Sequence, residues 1–161
     1  MNSNKKTARS EENKAIIRRL IEAENKHNPD LLDEFLAPDL GTFDVDERDT
    51  PKETPGLESL KQMYTQMYNG FPDWHGTIED IIAEGDKVWI RYKGTGTHKG
   101  EYLGLAPTGK KVTMKAFSIY RMVDTKVVEM WTVVDQLDFY KELGVIEYTE
   151  KGRNLFPEDV K

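Results

Sequence analysis

The chain has 161 residues, the usual size of one compact domain, with 29 acidic against 23 basic side chains and a net charge of −6. This acidic balance argues against nucleic acid and anionic membranes as partners, because both attract basic surfaces. Cysteine is absent, which excludes disulfides, zinc–thiolate sites, thiol nucleophiles and iron–sulfur clusters. No apolar run resembles a signal peptide or a membrane span, so we expect a cytoplasmic protein.

The first half of the chain is helical in pattern, because apolar residues recur at three- and four-residue spacing between polar stretches. Proline, glycine and charged clusters separate these segments and predict the turns between them. The expected elements are a disordered polar end over residues 1–10, a helix from Glu11, a short helix from Pro29, a strand over 40–45, a loop over 46–56 and a helix over 57–68.

Beyond Trp74 the apolar pattern changes to alternation, which is typical of strands. The expected elements are strands over 77–83, 88–97, 112–122 and 127–134, a helix over 136–143 and a charged tail over 147–161. Helices followed by hairpins predict a single α+β domain over residues 11–146. We expect its N-terminal helices to pack on a curved antiparallel sheet, forming a cone with an internal pocket for a small molecule.

Two glycine-rich segments imitate nucleotide-binding motifs. Residues 104–110 match most of a P-loop, but Lys111 stands where a magnesium-binding Ser or Thr belongs, and a strand pattern follows. Gly94, Gly96 and Gly100 lack the last spacing of a dinucleotide fingerprint, so we interpret them as strand glycines that allow a bend or a close approach. The three histidines show no metal-ligand spacing, and we expect no metal site.

The strongest candidate for chemistry is a carboxylate at the end of the last strand. Trp131, Val133 and Asp135 share one face of that strand by its two-residue period. If this face lines the pocket, apolar surroundings make Asp135 a better general base or acid near neutrality. The alternative is that Asp135 caps the helix beginning at Gln136, and the local sequence favours that reading.

Five further residues are candidates for the pocket wall. Tyr92 and His98 lie on one face of the strand from residue 88, although a structural role for the histidine at the strand end is equally open. His75 either borders the pocket or lies on the surface at the start of the first long strand. Tyr64 lies on the apolar stripe of the third helix, where it is either a core residue or a wall for an aromatic ligand. Asp44 is a second candidate carboxylate for the cavity, at the end of the short strand.

These residues form part of an ordered series of motifs that resembles the SnoaL-like polyketide cyclase, or ester cyclase, family of the nuclear transport factor 2-like superfamily. The resemblance runs from about Asn13 to Gly144. The motifs are Phe71-Pro72-Asp73-Trp74-His75, Gly85-Asp86-Lys87-Val88, Gly94-Thr95-Gly96-Thr97-His98-Lys99-Gly100, Pro107-Thr108-Gly109-Lys110, Val128-Glu129-Met130-Trp131, Asp135 and Leu143-Gly144.

The resemblance implies a cone-shaped α+β fold with a deep pocket, assembled as a homo-oligomer, either a dimer or a tetramer. It implies intramolecular aldol condensation of a polyketide ester without metal or cofactor, so the expected partner is a small hydrophobic carbonyl compound. Asp135 is then the acid/base, His98 lies in or near the pocket, and His75 and Trp131 line it.

Two other functions remain open from the sequence. One is a steroid-isomerase-like enzyme with Asp44 as its base, although no matching tyrosine-plus-acid oxyanion site is evident. The other is a non-catalytic binding or oligomerisation module of the same fold. That module predicts an exposed or merely capping Asp135 and a pocket filled by side chains.

Overall fold

The structure is a computed structural model, which describes residues 2–44 and 56–155, with side chains over 7–42 and 56–153. The predicted loop over 46–56 falls outside these ranges except for Gly56, as do the last six residues of the charged tail. The helices are α1 (Asn2–Glu24), a 3₁₀ helix (Pro29–Glu34), α2 (Leu57–Gly70), α3 (Gln136–Leu143) and α4 (Glu150–Leu155). The strands are β1 (Leu36–Asp44), β2 (His75–Glu84), β3 (Lys87–Thr97), β4 (Lys111–Val123) and β5 (Lys126–Val134).

The five strands form one sheet in the order β1-β5-β4-β3-β2. Helices and an open sheet confirm the predicted α+β class. The sheet is mixed rather than purely antiparallel, because β1 runs parallel to β5 while the other neighbours are antiparallel. The chain between β1 and β5 is long enough for the crossover that a parallel pair needs.

The larger core lies between α1 and the sheet. Ile17, Leu20 and Ile21 of α1 are buried at helical spacing and pack with buried residues of β3 and β4. The helix begins at Asn2 and not at Glu11, so the polar start of the chain is helical where we expected a disordered end. Lysine, alanine and arginine in that segment are good helix formers, which accounts for the extension.

A second, aromatic core surrounds Phe71, which is fully buried after α2. Its ring lies 5.7 Å from that of Trp74 and 5.8 Å from that of Phe139 on α3. A Cβ atom on Gly94 would stand 2.1 Å from the Trp74 indole, so this glycine lets the ring lie directly on β3. The structure thus confirms that Gly94 is a strand glycine that allows a close approach. The approaching group is the indole ring of Trp74.

The segment over 104–110 connects β3 to β4 and leads into a strand at Lys111, not into a helix. A phosphate cradle of the P-loop kind needs a helix N-terminus at that point. The connection is therefore a glycine-rich loop, as the sequence pattern indicated.

Candidate functional site

A carboxyl group lies in the interior where α1 ends. Glu24 follows Ile17, Leu20 and Ile21 at helical spacing, so it falls on the apolar stripe and is carried inward with it. Its Oε1 accepts a hydrogen bond of 2.7 Å from the hydroxyl of Tyr64 on α2. Burial raises the pKa of Glu24 from its ordinary value to about 7, and the bond from Tyr64 opposes that rise only in part.

Four tyrosines surround this carboxyl: Tyr64, Tyr68, Tyr92 and Tyr120. Tyr68 donates to the backbone carbonyl of Glu24 at 2.9 Å, while Tyr92 accepts from the indole of Trp74 at 3.1 Å. Two causes raise the pKa of each phenol above its usual range: burial, which is the larger, and the charge of the nearby Glu24. All four therefore keep their protons at physiological pH and act as hydrogen-bond groups rather than as anions.

A line of hydroxyl groups continues from the tyrosines across the inner face of β4 and β5. Tyr120 lies on the same strand face as Ser118, two residues earlier, and the Ser118 hydroxyl opposes part of the rise in the pKa of Tyr120. The Ser118 hydroxyl lies 3.0 Å from that of Thr132, its cross-strand neighbour on β5. Apolar walls and several hydroxyl groups thus meet on one face, an arrangement that suits a flat ligand carrying carbonyl oxygens.

Asp135 is exposed at the end of β5 and caps α3. Its carboxylate accepts a 3.3 Å hydrogen bond from the backbone N–H of Asp138. The structure therefore differs from the expected carboxylate in apolar surroundings, because the first turn of α3 holds the side chain at the solvent-facing rim. This exposed, capping placement is the one that the non-catalytic reading predicts.

His98 is fully buried at the start of the β3–β4 connection. Its ring stacks on Phe71 at 5.2 Å, and its Nδ1 accepts a 3.1 Å hydrogen bond from the backbone N–H of Thr108. This bond fixes the neutral tautomer with the proton on Nε2, and Nε2 has no hydrogen-bond partner among the described groups. His98 thus belongs to the aromatic core around Phe71, and the described hydrogen bonds do not join it to Asp135.

The other expected pocket residues divide between the two faces of the sheet. Tyr64 and Tyr92 lie inside as expected, and both are half-buried. Trp131 and Val133 share a face as expected, but it is the outer one: they pair with Ile119 and Phe117 of β4, whereas the inner pairs are Thr132 with Ser118 and Met130 with Tyr120. Strand β5 is apolar on both faces, so alternation alone could not identify the inner one.

His75 and Asp44 are the remaining residues that were expected to line the pocket. His75 is the first residue of β2 and is exposed. The backbone of Asp44 pairs with Thr132 at the end of β1, and its side chain lies outside the described part of the structure.

Glu24 and Tyr120 were not among the residues expected at the site. Tyr120 shares one face of β4 with Ala116 and Ser118 by alternation, and this pattern does not distinguish a site residue from a core residue. Glu24 had a signal in its spacing, since it stands seven, four and three residues after buried apolar positions of α1. An acidic residue on an apolar stripe is the informative exception in such a pattern.

Two general features complete the site. Among the described residues no cluster of three or more His, Asp or Glu side chains is arranged to hold a metal ion. None of the described helices is long and apolar enough to cross a bilayer.

Two clefts of about 410 and 370 Å³ lie on the outer surface, the first beside Gln66 and Leu103 and the second beside Arg19 and Glu34.

Comparison with known proteins gives the same family in sequence and in structure. The aklanonic acid methyl ester cyclase DnrD of Streptomyces peucetius is 27% identical over 139 residues, which cover 85% of this chain and 94% of the relative. The aklanonic acid methyl ester cyclase DauD of Streptomyces sp. (strain C5) is also 27% identical. The alignment covers 85% of this chain and 84% of DauD.

Solved structures extend the likeness. AclR of Streptomyces galilaeus, described as a candidate hydroxylase, superposes with a TM-score of 0.78 at 25% identity, over 92% of both chains. IdmH of Streptomyces antibioticus, described as a candidate polyketide cyclase, has a TM-score of 0.70 at 31% identity, over 82% of this chain and 98% of its own. The profile of the SnoaL-like polyketide cyclases matches residues 14–143. The chain belongs to the SnoaL-like polyketide cyclase family.

Proposed function

We propose that this protein catalyses an intramolecular aldol condensation that closes a ring in a hydrophobic polyketide ester, by acid/base catalysis without a cofactor. The family supports the reaction class, and the names of the two curated relatives support an ester as the substrate. The observation that carries the proposal is the inner face of the sheet. There, aromatic walls adjoin the hydroxyls of Tyr120, Ser118 and Thr132.

Such a reaction requires two proton transfers. A base removes a proton from a carbon activated by neighbouring carbonyl groups, and the resulting carbanion forms a bond to a second carbonyl carbon of the same molecule. The oxygen of that carbonyl then takes up a proton, so the product is an isomer of the substrate. By the family resemblance, the base is Asp135, whose carboxylate is exposed to solvent at the end of β5.

Purified protein incubated with aklanonic acid methyl ester, the compound that the relatives' names give, tests the proposal. We expect a product of unchanged mass and altered retention time in liquid chromatography with mass detection. Substitution of Asp135→Asn should lower kcat at least 100-fold while α3 stays capped, because asparagine is an equally good N-cap. Asp135→Ala should lose the same activity and also about 1 kcal/mol of stability. Full turnover by Asp135→Asn would remove Asp135 from the reaction.

A second function is a non-catalytic binding module of the same fold. It is favoured by the exposed, capping position of Asp135. The same experiment separates the two, because this module would bind the ester and return it unchanged. A product with one added oxygen atom would contradict both functions.

We also propose that the protein is a homo-oligomer that associates through the outer face of the sheet. Cross-strand pairing places Ile82, Trp89, Ile119 and Trp131 in one row across four strands. The side chain of Phe117 beside this row is 62% exposed. Exposed large apolar side chains grouped on one face, such as Ile82, Trp89 and Phe117, are typical of protein interfaces.

Substitution of Phe117→Glu should convert the oligomer to monomers by weakening association about 100-fold, because it buries an unpaired charge at the interface. Sedimentation velocity over a range of concentrations measures this change. Thr125→Glu adds the same charge in the exposed β4–β5 turn and should leave the assembly intact. A wild-type chain that sediments as a monomer at all concentrations would contradict the proposed assembly.

A further inference from the structure

The interior contains a carboxyl–phenol pair that the proposed reaction has not yet used. Glu24 Oε1 and the Tyr64 hydroxyl are 2.7 Å apart, which is the distance of a strong O–H···O hydrogen bond. Glu24 is 9% exposed, and its described side-chain partner is this hydroxyl, with no cation paired to it among the described side chains. Burial without a paired cation destabilises the charged carboxylate. The protonated form therefore persists to a higher pH than is usual for a glutamate.

The groups that face Glu24 come from each of the elements packed around it. Tyr64 and Tyr68 reach it from α2, Tyr92 from β3 and Tyr120 from β4, and all of these are neutral phenols. His27, just after α1, stacks on Tyr68 at 4.5 Å and donates from Nε2 to the carbonyl of Trp74.

Among the four tyrosines, Tyr64 is the one bonded to the carboxyl group. Tyr68 bonds to the backbone, Tyr92 bonds to Trp74, and Tyr120 lies on the same strand face as Ser118. Tyr64 is also half-buried, whereas Tyr68 and Tyr120 are buried. The hydroxyl that is bonded to the carboxyl group thus belongs to a side chain that is not fully buried.

We propose that Tyr64 and Glu24 form the proton-donating arm of the ring closure, with Tyr64 as the catalytic donor to the substrate's carbonyl oxygen and Glu24 as the residue that resupplies its proton. The inference rests on the proposed cyclase function and adds the acid that the reaction requires. It gives the two carboxyl groups separate roles, because Asp135 is at the rim and Glu24 is in the interior.

The base takes a proton from the activated carbon, and the carbanion forms the new carbon–carbon bond while the carbonyl π electrons move to oxygen. When Glu24 is protonated, its carboxylic O–H donates to the Tyr64 oxygen across the same 2.7 Å contact, and the Tyr64 O–H turns to the substrate. The substrate oxygen then takes the phenolic proton of Tyr64, and the phenol oxygen takes the carboxylic proton of Glu24. The proton held by the base returns to Glu24 through solvent, so no oxidant, reductant or further reactant is consumed.

The test is the pH dependence of kcat with aklanonic acid methyl ester for the wild type and the variants Glu24→Gln, Tyr64→Phe and Tyr102→Phe. Wild-type kcat should fall as pH rises above about 7, because Glu24 then loses the proton that it must supply. Glu24→Gln should lower kcat about 100-fold and abolish that fall, and Tyr64→Phe should lower kcat similarly with little change in KM.

Tyr102→Phe is the control, since it removes a half-buried tyrosine hydroxyl in the aromatic core around Phe71, outside the group of tyrosines that surround Glu24. It should keep the wild-type pH profile. Near-UV circular dichroism checks that each variant is folded, and Tyr64→Phe tests the arm independently if Glu24→Gln does not fold.

The possible failures are distinguishable. A Glu24→Gln or Tyr64→Phe variant with wild-type kcat and the same alkaline fall would overturn the donating arm and leave the cyclase function standing. A folded wild type that binds the ester without converting it would overturn the cyclase function, and the arm with it.

Discussion

The free energy of unfolding of the wild-type protein is expected to decrease by about 3 kcal/mol as the pH rises from 4.5 to above 7, through Glu24 alone. Burial raises the pKa of this carboxyl to about 7 in the folded chain, whereas the unfolded chain has the ordinary value of a glutamate. Between these two values the folded state binds more protons than the unfolded state, so stability is lost as the proton leaves. Below the unfolded pKa the contribution of Glu24 is constant.

Urea unfolding at several pH values between 4.5 and 8 measures this effect as the difference between wild type and Glu24→Gln. The variant should match the wild type near pH 5 and be more stable by up to about 3 kcal/mol at pH 8, because the neutral amide stays buried without a charge. Exposed Glu101→Gln is the control and should show the wild-type pH dependence. Parallel curves for wild type and Glu24→Gln would contradict a desolvated carboxyl.

Removal of the Leu143 side chain should cause a large loss of stability through α3. Leu143 is 1% exposed in the aromatic core, near the end of the helix. Leu143→Ala removes its buried methyl and methylene groups and leaves a cavity, which should cost about 2–5 kcal/mol. Leu137→Ala changes the same side chain on the same helix where it is 43% exposed, and should cost less than about 1 kcal/mol.

Thermal and urea unfolding of both variants check this prediction. Both variants keep Asp135 and the αL residue Gly144, which cap the two ends of α3. The difference in stability between them therefore measures the packing of the helix and not its capping. Equal losses for the two leucines would mean that α3 does not depend on the aromatic core for its position.

Much of the fold could be predicted because local signals agree with tertiary packing. Helix α3 begins and ends as predicted, since Asp135 and Gly144 are strong capping residues. Strands β3 and β4 were predicted to within one residue at each end, because alternation and turn residues bound them. The direction of β1 could not be read locally, since a strand carries no mark of whether its neighbour runs parallel or antiparallel.

The site was harder to predict than the fold. The two faces of β5 are both apolar, so the face that meets the helices is decided by partners on β4. Asp135 has a capping position that satisfies it locally, whereas Glu24 becomes a buried acid only when α2 brings Tyr64 over it. Because the burial of Glu24 depends on two helices that are distant in sequence, the residue pattern of α1 alone gives only a weak signal of it.

The parallel pairing of β1 with β5 has a consequence for biosynthesis. Leu36 of β1 is the register partner of Val127, and the backbone N–H of Val127 donates to the carbonyl of Phe35 at 2.8 Å. The edge strand therefore cannot pair until the final strand has left the ribosome. Until then the antiparallel hairpins can form by short-range closure, but β1 has no neighbour to extend. Nascent chains are thus exposed to degradation or chaperone capture at this edge, and completion of β5 marks the moment at which the N-terminal segment becomes protected.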